Sequence, residues 1–239
     1  MALQSGVPPD AFSDSGQLWR MPCFNWPAHG ADDFAWWRAR LSASLRCFDL
    51  LRLDHFRGFE QYFAIDGQAE DALQGRWIKA PGDALLTAFA SDHPTLPLIA
   101  EDLGIIDDSV TRLRQQFKLP GMHVMQFADS PNSPHHLHNH AEQAVAYLGT
   151  HDNPTSTAWW KALPAQSRSA FNSKLAQPIT HSRQLNKQLA SSPARLVIHS
   201  LQDLLGLGDE ARLNRPGVET SQWRWRHTGP LPKQIPARS

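Results

Sequence analysis

An α/β fold built on parallel strands is what the sequence predicts, and three observations carry that prediction. Apolar, strand-like runs close on a carboxylate and pass into loop residues at Leu51-Arg52-Leu53-Asp54-His55-Phe56-Arg57-Gly58, at Ile99-Ala100-Glu101-Asp102-Leu103-Gly104 and at Leu148-Gly149-Thr150-His151-Asp152-Asn153. Segments of helical spacing alternate with such runs. The first run has a partly masked period, as strands covered on both faces do. In parallel α/β proteins the chemistry sits at the carboxyl ends of the strands, where the loops are free to vary. Three carboxylates delivered there point to work on a glycosidic bond, which needs one ionised and one protonated carboxyl group.

The elements follow in order. Residues 4–30, rich in Pro, Gly, Asp and Ser, read as a long loop, and loops of that length are usually functional. Asp32 is placed to cap a helix over 33–47, with Phe34, Trp37, Leu41 and Leu45 on one face. Strand 49–54 follows, then an irregular stretch from Gly58 to Gly82 and a helix over 83–91. The next strand is 97–101, and Asp107 or Asp108 caps a helix ending near Phe117. A third strand, 122–127, leads into a polar loop over 129–143. The fourth is 144–148, followed by helices over 155–162 and 165–190. The fifth is 195–201, where a helix competes. The tail, 227–239, is rich in Pro and is expected to fray.

This alternation predicts an incomplete (β/α)8 barrel of about five βα units, since a complete one needs eight strands and roughly 250 residues. One domain over 1–226 is the default for 239 residues, with two small ones as the alternative. An open five-strand sheet would leave two unpaired edges, so the chain alone is expected to be unstable or inactive.

Composition narrows the function. Twenty-three basic and 23 acidic residues give zero formal charge, without the footprint of a nucleic-acid binder. Two cysteines, Cys23 and Cys47, are too few for a disulfide framework and fit a reduced, cytoplasmic setting. No signal peptide is visible and no apolar run approaches the ~20 residues of a membrane helix. Nine tryptophans suit either a large core or platforms that stack on sugar rings.

The three carboxylate motifs resemble signature blocks of the amylomaltase, or 4-α-glucanotransferase, family. So do Gly6-Val7-Pro8-Pro9-Asp10, Gly16-Gln17-Leu18-Trp19, Gly75-Arg76-Trp77, and Leu201-Gln202-Asp203-Leu204-Leu205-Gly206-Leu207-Gly208 running to Glu210-Ala211-Arg212. The blocks occur in family order over about 6–226. By this resemblance the five strands are the fourth to eighth of the barrel. The expectation is then a truncated or split chain, with a complementing N-terminal chain as one candidate partner.

The resemblance implies transfer of α-1,4-glucan segments between maltodextrins with retention, and no cofactor. An α-glucan hydrolase and an inactive or weakly glucan-binding fragment are the alternatives. Asp54 is the implied nucleophile. Arg52, on the same strand face, would hold it, though the pattern alone equally fits a structural ion pair. Glu101 is the implied general acid/base, which requires a pKa raised toward neutrality. Asp102 points to the other face. Asp152 is the implied transition-state stabiliser, with His151 donating to a sugar hydroxyl and Asn153 orienting the loop. All three acids are expected around one sugar.

Gln17 and Trp19 are implied substrate contacts in a loop that folds over the glucan; a merely buried Trp19 is the plain alternative. Here Trp19-Arg20-Met21-Pro22 stands where the family usually has Trp-Gly-Asn-Pro, which matters if that glycine needs a positive φ. His55, Arg57, Arg76 and Trp77 shape loops. The run His135-His136-Leu137-His138-Asn139-His140 invites a metal reading, but a sugar contact by His138 and Asn139 fits the resemblance better. Trp223-Arg224-Trp225-Arg226 alternates at strand period and is expected to pack near the barrel wall.

Overall fold

A computed structural model of the chain describes all residues except 1, 2, 10–12, 174, 176, 219, 233, 234 and 237–239. Asp10 of the first motif and part of the 227–239 tail therefore lie outside the described residues. The chain forms two compact units, Met1–Gly121 and Met122–Ser239.

The first unit runs β1 (Leu3–Val7), β2 (Gln17–Pro22), α1 (Trp26–Ala31), α2 (Ala35–Leu45), β3 (Leu51–Leu53), α3 (Arg57–Glu60), β4 (Gln61–Asp66), β5 (Arg76–Lys79), α4 (Gly82–Asp92), β6 (Leu98–Ala100) and α5 (Asp108–Gln116). Strands β3 and β6 pair in parallel, Leu51 beside Leu98 and Leu53 beside Ala100. Each ends where the sequence puts an acid, so Asp54 and Glu101 emerge side by side. Beneath them lies a core of Phe56, Leu85, Leu86, Phe89, Leu98, Val110 and Leu119. Each such side chain contributes about 1.5–3 kcal/mol on burial. Helix α5 starts as predicted: the Asp107 carboxylate accepts the backbone N–H groups of Ser109 (3.0 Å) and Val110 (3.1 Å).

Two expectations fail in this unit. The long loop over 4–30 and the irregular stretch after Gly58 instead supply an antiparallel sheet of order β2-β1-β4-β5. Leu3 pairs with Asp66 and Gly6 with Phe63, some sixty residues apart. Glycines that read as loop signals are close-approach positions instead. A Cβ on Gly6 would lie 2.1 Å from the Gln17 carbonyl oxygen, and one on Gly75 2.1 Å from the Phe63 ring. The helix expected over 33–47 is present as α2, two residues shorter at each end, while α1 lies in the stretch read as a loop. Asp33 and Phe34 have positive φ and separate the two helices, and Asp32, which closes α1, also accepts the Ala35 N–H at 3.3 Å. The predicted face survives, with Phe34 and Leu41 buried and Trp37 and Leu45 packed against the same core.

The second unit runs β7 (Gly121–Val124), β8 (Ala144–Tyr147), α6 (Ser156–Ala162), α7 (Ala165–Asn172), α8 (Arg183–Ala190), β9 (Leu196–Ile198) and α9 (Leu201–Leu205). Its sheet has the order β7-β8-β9, with β8 and β9 parallel. Met125, Ala146, Leu148, Trp160, Phe171, Leu185 and Leu189 form its core. The helix expected over 165–190 breaks before Pro178, which has no N–H to continue it. There the Asn172 side chain bonds both the carbonyl and the N–H of Ile179. At 195–201 both contenders are present in succession: β9, then α9, whose cap Ser200 accepts the Asp203 N–H at 3.2 Å. The alternation at 223–226 forms no strand, and Trp223 itself sits at φ 60°, outside the extended region.

Candidate active site

In the first unit the side chains of Arg52, Asp54 and Glu101 meet at the carboxyl ends of β3 and β6. Arg52 Nη1 lies 2.6 Å from Asp54 Oδ1, and its Nη2 4.0 Å from Glu101 Oε2. The Asp54 side chain is 78% exposed, that of Glu101 only 12%. An ion pair to so exposed a carboxylate is worth about 0–1 kcal/mol, so what it provides is orientation rather than stability.

Glu101 is held differently. His55 N–H donates to Oε2 at 2.6 Å and Leu103 N–H to Oε1 at 3.2 Å. Burial pushes this carboxyl up to about 7, with the charge on Asp54 adding to the rise; the His55 N–H, the Arg52 guanidinium and the Leu103 N–H oppose it. A carboxyl poised there can give up and take back a proton near neutral pH. Its neighbour Asp102 turns away, as expected, into a 3.0 Å ion pair with Arg114.

Strand β2 brings two predicted residues to this rim. Trp19 meets the His55 ring edge-on at 4.7 Å, and its indole N–H donates to Gln17 Oε1 at 3.2 Å. Trp19 is half-buried, Gln17 exposed. Arg57 shapes the following loop: it donates to the Ile105 carbonyl at 2.8 Å, pairs with Asp107 at 3.0 Å and lies 4.3 Å over the Trp77 ring. Arg76 is exposed on β5.

In the second unit Asp152 follows β8 in a loop folded by its own side chains. Asn153 Oδ1 accepts the Thr150 N–H at 2.8 Å and its hydroxyl at 2.9 Å, the orienting part foreseen for Asn153. Asp152 Oδ1 accepts from Asn214 Nδ2 at 2.5 Å, and Oδ2 lies 3.3 Å from His151 Nε2. Arg212 donates to the Asp152 carbonyl at 2.6 Å. The His151 ring packs 5.2 Å from that of Trp223. Asn214 was missed by sequence reasoning. Its only signal is its place two residues past the Glu210-Ala211-Arg212 block.

His138 and Asn139 are both exposed in the same unit. Asn139 gives its amide hydrogens to the Pro131 and Ser133 carbonyls, both at 2.9 Å, so it braces its own loop. The neighbouring imidazoles serve structure too: His136 bonds the Phe171 carbonyl at 2.8 Å, and His140 bonds Ser192 at 2.8 Å and the His135 carbonyl at 3.0 Å.

A family model described as 4-alpha-glucanotransferase matches residues 1–231. A 4-alpha-glucanotransferase of Aquifex aeolicus is 45% identical over 226 residues, covering 93% of this chain and 47% of its own. The chloroplastic/amyloplastic enzyme of Solanum tuberosum is 42% identical, covering 94% and 40%. Among solved structures, amylomaltase from Streptococcus agalactiae in complex with acarbose superposes with a TM-score of 0.87 at 35% identity, covering 95% of this chain and 47% of that one. The chain thus spans about half the length of the curated relatives it matches.

Proposed function

The chain belongs to the 4-alpha-glucanotransferase family, and on that premise we propose that it serves the transfer of α-1,4-glucan segments between maltodextrins by retaining double displacement. The observation that carries this reading is the unequal pair at the ends of β3 and β6. Asp54, exposed and gripped by Arg52, is the nucleophile. Glu101, buried and pushed up to about 7, is the acid that protonates the departing glucan oxygen and then, as a base, deprotonates the incoming 4-hydroxyl. Asp152 is the transition-state stabiliser, with His151 donating to a sugar hydroxyl. Gln17, Trp19, His138 and Asn139 contact the glucan. Transfer outcompetes hydrolysis where the site excludes water from the glycosyl-enzyme.

We read residues 1–226 as the last five units of a (β/α)8 catalytic domain, which the parallel pairs β3–β6 and β8–β9 and the likeness to amylomaltase support. Because the relatives are about twice as long, we include a complementing N-terminal chain as a partner. With the complementing N-terminal part present, maltotriose tests the reaction: longer maltodextrins plus glucose are expected, and a gain of reducing ends alone would mean hydrolysis. In that complemented enzyme Asp54→Asn should abolish turnover, by at least roughly a thousandfold, while leaving maltodextrin binding nearly intact. Unchanged turnover in that variant removes Asp54 from the mechanism.

A further inference from the structure

The first unit has a second feature that the carboxylate pair does not use. A cleft of about 350 Å3 opens beside α1 and α2, walled by Phe24, Ala28, His29, Asp32 and Trp36. Three rings surround it: Phe24 lies 5.8 Å from His29 and 5.9 Å from Trp36, and His29 5.9 Å from Trp36. Phe24 is 40% exposed and Trp36 47%. They are also held firmly. Trp26 and Trp37 stack at 5.6 Å, Phe24 packs on both, and both belong to the core or pack against it.

We propose that this cleft binds a glucosyl segment of an α-1,4-glucan, at a place that shares no residue with Asp54, Glu101 or their partners. The chemistry of the walls selects that occupant. A pyranose presents C–H faces that stack on aromatic rings and hydroxyls that need acceptors and donors at the rim. Asp32 supplies the acceptor: one of its oxygens takes the Ala35 N–H, and the other has no protein partner among the described residues. His29 supplies a ring nitrogen that likewise has no hydrogen-bond partner there. The depression is shallow and open, so it offers a platform for one face of one or two sugar rings rather than an enclosing pocket. A cation fits less well, because the Arg40 guanidinium already lies 5.2 Å over the Trp36 ring and adds positive charge. An anion would face Asp32. The choice of a glucan rests on the reaction proposed above. A site of this kind would hold a long substrate to the protein between turnovers.

The test uses the 239-residue chain, 15N-labelled, titrated with maltoheptaose, with the indole N–H signals of Trp36 and Trp19 followed separately. Trp36 is expected to shift saturably in the wild type and equally in Asp54→Asn. Trp36→Ala should weaken the accompanying shift of His29 roughly two- to tenfold, the range for one lost aromatic contact. Asp32→Asn keeps an oxygen for the Ala35 N–H and so guards against misfolding; it should weaken the Trp36 shift in the same direction. A still Trp36 signal beside a moving Trp19 overturns the cleft and leaves the reaction standing. Movement of Trp36 with a still Trp19 supports the cleft and counts against the reaction. A Trp36 signal that answers tetramethylammonium but not maltoheptaose makes the cleft a cation cage, and one that changes only with protein concentration makes it a contact between copies. Either result overturns the proposal.

Discussion

One buried side chain in each unit answers protons in the opposite direction from the other. In the first, burial pushes the Glu101 carboxyl from 4.5 up to about 7. In the second, burial pushes the His140 imidazole from 6.5 down to about 4, with the nearby His135 and His136 adding to the fall and the bond to the His135 carbonyl opposing it. Both shifts have one main cause, loss of water around the charged form. Only the acid stands beside a second carboxylate and a guanidinium, where a reaction can use its proton. The imidazole is closed between Ser192 and the His135 carbonyl.

The largest expected effect tests that contrast directly. Between 4.5 and about 7 the folded chain keeps a proton on Glu101 that the unfolded chain has lost, so this stabilisation is present at low pH and disappears as pH rises through 7. Between about 4 and 6.5 the unfolded chain protonates His140 and the folded chain does not, so stability is present above 6.5 and is lost as pH falls through 4. Each displacement corresponds to about 3 kcal/mol. Urea unfolding across pH should therefore find Glu101→Gln gaining on the wild type as pH rises, and His140→Gln gaining as pH falls, each by up to about 3 kcal/mol. Two variants that move the same way would break the contrast.

Legibility divides the first unit within itself. The acid-terminated strands could be read because local pattern and position agree: apolar run, carboxylate, loop. The β2-β1-β4-β5 sheet could not. Its central pair, β1 with β4, joins residues some sixty apart, and its register is set by partners rather than by alternation within each run. Gly6 and Gly75 then pointed the wrong way, since a close-approach glycine and a loop glycine look alike in a sequence. At the site, side-chain reasoning found Arg52 with Asp54 but not the His55 backbone N–H on Glu101, because every residue but proline carries that group. Asn214 was hidden for a related reason: it lies 62 positions from Asp152, with no pattern linking them.

A smaller effect separates the two exposed carboxylates. Asp54 is gripped by a charged guanidinium in water, which contributes little. Asp152 is less exposed and takes a neutral amide at 2.5 Å. Asn214→Ala is expected to lower stability by about 1 kcal/mol, and Arg52→Ala by less, read from urea midpoints at neutral pH. A larger loss in Arg52→Ala would mean that the first unit depends on its ion pair for more than orientation.

The smallest effect concerns strain. Arg20 sits at φ 56° on β2, opposite a shift in register between Gln4 and Gly6. That is the geometry of a bulge whose first residue is left-handed, a place that favours glycine. The sequence flagged this position because the family usually has glycine there, and the backbone requirement is real. A left-handed non-glycine residue costs about 1–2 kcal/mol, against which glycine loses about 0.5–1 kcal/mol in chain entropy. Arg20→Gly should therefore gain roughly 0.5 kcal/mol in thermal unfolding while Trp19 stays against His55. In the second unit Trp223 has φ 60°, but its ring packs on His151. Relief of the same strain by Trp223→Gly should lose stability, because there the side chain offsets what the backbone costs. If both substitutions gain, the Trp223 ring contributes nothing to holding His151.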